Sequence, residues 1–293
     1  GGFQKIHSAL RRNANAFEQI SRRTGLIVID EAHKAVAPTY SASIQALRGD
    51  NTSVVGLTAT PGRTQIEETE DMARFFFETK INIRTESGVS EIAMLKKRKV
   101  LAQIDYVPIV VPLGETFQLT TAQRRKLEED FDYPPGFLKK VANNNLRNVE
   151  IVKKLLAACK EGRKILFFGC TVKHSRFIMA LLMYLGINAE HVDGSTLGPR
   201  RQQVIEEFKN GDVQVLCNYG VLTTGFDAPN TDEVFISRPT NSVVLYSQMI
   251  GRGLRGTTIG GTARCRISDV RDNIVGFGDQ ERVYHYFEGY WDN

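Results

Sequence analysis

Tryptophan occurs once and cysteine four times in these 293 residues. The cysteines, Cys159, Cys170, Cys217 and Cys265, form no CxxC pair and have no histidine at metal-ligand spacing. That pattern argues against a zinc site or a disulfide framework and points to buried thiols in a reducing cytoplasm. No apolar run approaches the roughly 18 residues that a membrane span needs, and the N-terminus carries no signal-peptide pattern. No segment repeats internally. There is no initiator methionine: the chain begins Gly1-Gly2-Phe3 and reads as a piece of something longer. What is present is ordinary globular material, 42% hydrophobic and 24% charged, long enough for two compact domains. The net charge of +5 suits a polyanionic partner without requiring one.

Short β-branched runs alternate with amphipathic helices, the pattern of an α/β protein whose parallel sheets are flanked by helices. Residues 26–29 read as a fully apolar strand ending in acidic residues. A helix from about Tyr40 to Arg48 follows, closed by Gly49, and then the strand Ser53–Leu57. A second unit begins near residue 143 with a helix expected to turn Leu146, Val149, Val152, Leu156 and Cys159 inward. Strand 164–168, helix 173–185 and strands 213–217 and 233–237 complete it. Pro199 suits the first turn of a helix whose Val204, Ile205 and Phe208 face inward. The resulting organisation is a partial first domain over 1–107, a proline-marked connection over 108–142 and a second domain over 143–256. Residues 257–293 are expected to add a strand and an aromatic helix around Tyr284, Phe287 and Trp291.

Four segments carry chemistry. Asp30-Glu31-Ala32-His33 ends the first strand, where parallel sheets bind ligands. A carboxylate there can hold Mg²⁺ through water and its neighbour can deprotonate an attacking water; the pair could instead cap the next helix. Thr58-Ala59-Thr60-Pro61 ends the next strand, where its hydroxyls could relay nucleotide state or simply close a turn. Thr223-Thr224-Gly225-Phe226-Asp227-Ala228-Pro229 offers hydroxyls for a phosphodiester backbone and a carboxylate for a ribose hydroxyl or an arginine, or an ordinary turn. Gln248-Met249-Ile250-Gly251-Arg252-Gly253-Leu254-Arg255 places two arginines on one face of an expected helix, their planar forks suited to a transferring γ-phosphoryl group. A solvated basic face is the alternative there. The run Lys96-Lys97-Arg98-Lys99 reads as a solvated helix end.

In order and spacing these segments resemble the motifs of superfamily-two helicases, to which nearly the whole chain is similar. Asp30–His33 resembles motif II in its DEAH form, Thr58–Thr60 motif III, Ile165–Ser175 motif IV, Thr223–Pro229 motif V and Gln248–Arg255 motif VI; Asp193-Gly194-Ser195 matches the short motif after motif IV. The GFDAP and QMIGRGLR segments resemble RadD-like helicases and restriction-enzyme motor subunits, which favours DNA as partner. The resemblance implies two tandem RecA-like domains with ATP in the cleft between them, and Mg²⁺ held by Asp30 through water. It implies that Glu31 acts on the attacking water, Arg252 and Arg255 on the γ-phosphate, and Gln248 beside them. His33, Gly225 and Asp227 would attend the nucleotide, and Thr58 and Thr60 would couple its state. Gln4, Thr171, Thr223 and Thr224 would touch nucleic acid. Partner subunits of a restriction, defence or repair complex are implied, and a membrane is not.

One element of the pattern is missing. No GxxxxGK[ST] loop, whose amides and lysine cradle ATP phosphates, occurs in the sequence. The loop is expected upstream of Gly1, and this stretch alone is expected to hydrolyse little ATP. Two alternatives stand beside the enzyme: a non-catalytic DNA- or partner-binding module of helicase shape, and a metal-dependent nuclease, for which the acidic residues are too dispersed.

Overall fold

The computed structural model describes residues 3–58, 66–77, 79, 81, 91–111, 117–130, 132–222, 230–272 and 274–275. The chain forms two compact units, Gly1–Ile83 and Arg84–Asn293, each described by itself.

The first unit runs α1 (Phe3–Arg12), α2 (Ala14–Arg23), β1 (Leu26–Asp30), α3 (Pro38–Leu47), β2 (Ser53–Leu57) and α4 (Ile66–Phe75). β1 and β2 pair in parallel, Leu26 opposite Ser53 and Asp30 opposite Leu57. Ile29 packs with Ala32, Ala35 and Ile44. The strand is not covered on both faces as its composition suggests: Leu26 is 58% and Val28 55% exposed. Successive strand side chains point to opposite faces, and among the described residues helix packing is recorded on the Ile27 and Ile29 face. Gly49 also differs from its expected role. α3 ends at Leu47 with Arg48 as an extended C-cap, and a Cβ on Gly49 would stand 2.6 Å from the Ser21 carbonyl oxygen. The glycine permits a close chain crossing rather than a left-handed helix stop.

The second unit runs α5 (Glu91–Lys97), β3 (Gln103–Val110), β4 (Phe117–Gln118), α6 (Thr121–Asp130), α7 (Pro135–Ala142), α8 (Asn145–Lys160), β5 (Ile165–Phe168) and α9 (Val172–Tyr184). It continues with β6 (Ala189–Val192), α10 (Gly198–Asn210), β7 (Val215–Asn218), β8 (Glu233–Ile236), α11 (Val243–Ile250), β9 (Arg264–Arg271) and β10 (Ile274–Val275). Six strands form one sheet in the order β3-β9-β8-β5-β7-β6, every pair parallel. Alternation along β5 feeds two cores. Leu166 and Phe168 pack under Val204 and Phe208 of α10 and Tyr246 and Met249 of α11. Ile165 and Phe167 pack under Ile151 and Leu155 of α8 and Ile178 and Leu182 of α9. Layers of this kind explain why β5 reads as an uninterrupted apolar run and β7 and β8 as largely apolar ones.

Several boundaries differ from the sequence reading. β3 lies in the sheet of the second unit, beside β9, so the division falls at Ile83 rather than inside β3. The proline-marked stretch is structured: Pro134 is the N-cap of α7 and Pro135 opens it, and Phe117, Leu127, Tyr133 and Phe137 share a small core with Cys170. Prolines there begin a helix instead of preventing one. The inward face of α8 is rotated from its expected position: Leu146 and Val149 are exposed while Arg147 and Asn148 are buried. The reason is a buried ion pair with a residue far along the chain. The expected aromatic helix around Tyr284, Phe287 and Trp291 lies outside the described residues.

Candidate functional site

Asp30 stands exposed at the carboxyl end of β1, and its Oδ1 accepts the backbone N–H of Glu31 at 2.9 Å. Glu31 itself has φ 54° and ψ 50°, the left-handed region. For a residue with a Cβ this conformation costs about 1–2 kcal/mol, and such strain gathers at functional positions. The turn leads into a single 3₁₀ turn, Ala32–Lys34, for which Glu31 makes no side-chain cap bond. The Glu31 side chain therefore does not cap this turn. Because Asp30 faces Leu57 across the β1–β2 pair, Thr58 follows the neighbour of Asp30, the adjacency that a relay between them requires. Thr60 lies outside the described residues, as do the side chains of His33 and Gln4.

Among the described residues no three His, Cys, Asp or Glu side chains converge as a metal cage. An exposed strand-end carboxylate suits Mg²⁺, which keeps most of its water and shares phosphate oxygens.

In the second unit the arginines are not on a helix. α11 stops at Ile250, and Gly251–Gly253 form a turn. Gly253 explains the stop: a Cβ there would lie 2.3 Å from the Cys265 Sγ and 2.8 Å from Val234 Cγ2. The turn thus presses against β8 and β9, an approach only glycine allows. Arg252 Nε donates to the Gln248 carbonyl at 3.2 Å, which ties it to the last turn of α11. Arg255 stands opposite Leu101 in an antiparallel bridge. Thr223, Thr224, Gly225 and Asp227 lie outside the described residues. Thr171 is the N-cap of α9, its hydroxyl accepting the His174 N–H.

Two clusters stand at the carboxyl ends of the strands: one around Asp193, in the segment matched to the short motif after motif IV, and one around Arg147, which escaped sequence reasoning. Asp193, just past β6, accepts from the Ser195 N–H at 2.7 Å, from Ser195 Oγ at 2.6 Å, from Arg176 at 2.7 Å and from His191 Nε2 at 3.0 Å. Burial pushes its pKa up, but these bonds outweigh it and hold the carboxyl below the ordinary range. The Asp193 carbonyl accepts from Arg201 at 3.0 Å, so one acidic hub fixes two arginines. The second cluster centres on Arg147, 1% exposed. Its Nε donates to Asp272 Oδ1 at 2.5 Å and its Nη2 to Asp272 Oδ2 at 2.9 Å. It also donates to the Ser237 carbonyl and contacts the Cys170 sulfur at 3.6 Å. Asp272, Ser237 and Cys170 follow β9, β8 and β5, three adjacent strands. One guanidinium therefore ties their ends together. A lone arginine beside polar residues gives no sequence signal that its partner lies 125 positions away.

His174 completes this cluster. Its Nδ1 accepts the Cys170 N–H at 3.1 Å and its Nε2 faces Asn148 Oδ1 at 3.0 Å, an arrangement that places the proton on Nε2. Burial, with the charge of Arg147 beside it, pushes its pKa down to about 3. The unfolded chain takes up that proton near pH 6.5 and the folded chain does not until near pH 3. Stability is thus lost as pH falls through that window, at about 1.4 kcal/mol per pH unit. Urea unfolding at pH 7 and pH 5 tests this: His174→Gln is expected to show a smaller acid-induced loss than the native chain. Equal losses would remove His174 as the cause.

Residues 147–257 match the helicase conserved C-terminal domain family and residues 2–63 the res subunit of type III restriction enzymes; the chain belongs to the superfamily-two helicases, with a restriction-enzyme-like motor. It is 31% identical over 236 residues to IRC3 of Saccharomyces cerevisiae, provisionally named an ATP-dependent helicase, covering 78% of this chain and 32% of that protein. It is 29% identical over 170 residues to the ATP-dependent RNA helicase DBP3 of Saccharomyces cerevisiae, covering 58% of this chain and 31% of that protein. The chain thus spans about a third of the length of these two relatives. Its fold is similar to that of a fragment of a provisionally assigned HsdR subunit of a type I restriction enzyme from Vibrio vulnificus YJ016. There the TM-score is 0.59 at 19% identity, over 91% of this chain and 47% of that one.

Proposed function

We propose that this chain is motor sequence of a DNA translocase or helicase that hydrolyses ATP. The observation that carries the reading is the strand end Asp30-Glu31, whose glutamate is held in a left-handed conformation without capping a helix. In this reading Asp30 holds Mg²⁺ through water and Glu31 takes the proton of the attacking water. Arg252 and Arg255 donate to the γ-phosphoryl oxygens where charge develops, with Gln248 supporting them. His33, Thr58 and Thr60 pass nucleotide state along the strand ends, and Gly225 and Asp227 attend the nucleotide. Thr223, Thr224, Thr171 and Gln4 contact the phosphodiester backbone, as side-chain hydroxyls and amides commonly do. Bound Mg²⁺ supplies charge neutralisation on the phosphates.

The sequence contains no GxxxxGK[ST] loop, and we read these residues by themselves as a poor ATP hydrolase. Among the described residues no helix is long and apolar enough to cross a membrane; a cytoplasmic motor serving restriction, defence or repair, with partner subunits, fits the reading. DNA is favoured by the match to a restriction-enzyme res subunit. Similarity to a protein named as an RNA helicase supports RNA as the second reading.

Steady-state ATP hydrolysis by the protein carrying this chain, with duplex DNA, single-stranded DNA or RNA added, separates these readings. Duplex DNA is expected to raise kcat, with a stimulation that weakens as salt rises. Equal stimulation by RNA would remove the DNA assignment. Hydrolysis indifferent to every nucleic acid would remove the motor reading and leave a binding module.

A further inference from the structure

An arginine that stabilises a transferring phosphoryl group must be placed to within a fraction of an ångström, yet Arg255 lies beyond the end of its helix, in irregular chain. Its backbone is nevertheless held on both sides. On one side, the Ala102 N–H donates to the Leu254 carbonyl at 2.9 Å and the Gly256 N–H to the Val100 carbonyl at 2.9 Å, with Leu101 bridged to Arg255. The Thr258 N–H donates to the Lys99 carbonyl at 3.1 Å, and Thr258 Oγ1 donates to the Arg98 carbonyl at 2.9 Å. On the other side, the Thr262 N–H donates to the Arg255 carbonyl at 3.0 Å and the Gly261 N–H to the Gly256 carbonyl at 2.9 Å. The fit leaves no room for side chains: a Cβ on Gly256 would stand 2.1 Å from the Lys99 carbonyl oxygen, and one on Gly261 2.0 Å from the Arg255 carbonyl oxygen. Lys99 takes φ 57° to complete the crossing, a conformation that a residue with a Cβ adopts only under constraint.

We propose that residues Arg98–Ala102 are a strap that positions Arg255, with Gly256 and Thr258 as its fastening points. The proposal rests on the reading of Arg255 as a γ-phosphate ligand and adds how that side chain is aimed. None of the strap residues need touch nucleotide. They act through the backbone on either side of Arg255, between the Leu254 carbonyl and the Thr258 hydroxyl. The strap follows directly on α5, the first described helix of the second unit, so displacement of that helix is carried by five hydrogen-bonded or bridged positions to the arginine.

The test uses ATP hydrolysis by the protein that carries this chain, in Gly256→Ala, Thr258→Val, Arg255→Ala and the two doubles with Arg255→Ala. Gly256→Ala is expected to lower kcat by on the order of 10- to 100-fold, as misplacement by about 1 Å does, with KM for ATP little changed; Thr258→Val lowers it less. In the Arg255→Ala background neither is expected to lower kcat further, because residues acting through one group are not additive. A readout that needs no nucleotide accompanies this: amide hydrogen exchange at Ala102 and Gly256 speeds up in Thr258→Val. A strap effect of the same factor with and without Arg255, or one confined to KM, overturns the strap while leaving the arginine reading standing. Native kcat in Arg255→Ala overturns the arginine reading and the strap with it. If Gly256→Ala does not fold, Thr258→Val decides alone by the same criteria.

Discussion

Alanine at Arg252 or Arg255 is expected to cut kcat for ATP hydrolysis by about 10³- to 10⁵-fold in the protein that carries this chain, the range seen when an arginine is withdrawn from a phosphoryl-transfer site. KM should move little, since an interaction made mainly in the transition state lowers kcat without weakening substrate binding. Lysine is not expected to restore either position. Its compact ammonium cannot reproduce the planar fork that spans two phosphoryl oxygens. The two arginines should not respond identically, for their supports differ. Arg252 leans on the last turn of α11 through its own Nε–carbonyl bond, whereas Arg255 depends on the backbone bridge to Leu101. Glu31→Gln is the companion variant: it keeps size and hydrogen bonding but removes the base, and should lose hydrolysis while keeping nucleotide binding. If either arginine variant retains more than about a tenth of native kcat, a difference of under about 1.4 kcal/mol in the barrier, that residue has no direct part in phosphoryl transfer.

The fold and the site were legible to different depths. Central strand β5 announces itself because burial on both faces leaves an unbroken apolar run, and β7 and β8 by their apolar stretches Val215–Cys217 and Val234–Ile236; Gly186 with φ 82° marks the end of α9, and Pro199 in the first turn and Gly211 as a left-handed cap mark the two ends of α10. β3 and β9 were illegible as partners, since nothing local in Gln103–Val110 records a neighbour at Arg264–Arg271. The rotated face of α8 has the same origin. Arg147 and Asn148 look like surface residues until Asp272 and His174 are placed against them, and the helix then turns Leu146 and Val149 outward. The chemistry-bearing segments stood out as residue types, because strand-end carboxylates and glycine-spaced arginines are uncommon in combination. Their local geometry did not. Two arginines three apart suggest one helical face, but the contact of Gly253 with Cys265 and Val234 ends the helix first. That contact is visible only when β8 and β9 lie side by side.

Breaking the Arg147–Asp272 pair from one side is expected to destabilise the chain by about 3–5 kcal/mol, the usual consequence of leaving one buried charge without its partner. Arg147→Met and Asp272→Asn should each show it as a lower midpoint in urea unfolding, followed by a probe in the second unit. The pair is bidentate and its side chains are 1% exposed on both sides, so neither water nor salt can substitute for the missing partner. Burial disfavours the arginine charge, yet Asp272 beside it more than offsets this and raises the guanidinium pKa. Joint replacement, Arg147→Met with Asp272→Leu, should recover most of the loss, because two apolar groups of similar volume need no desolvation of charge. The Ser237 carbonyl would then keep the Cys170 thiol as donor, 3.0 Å away. What the double variant cannot restore is the tie between the ends of β5, β8 and β9. Thermodynamic recovery without recovery of ATP hydrolysis would therefore mark Arg147 as a residue that holds the rim in place, whereas full recovery of both would make it a packing solution with no part in the motor. Single losses below about 1 kcal/mol would mean the pair is worth no more than an exposed one, and the clamp would have to be given up.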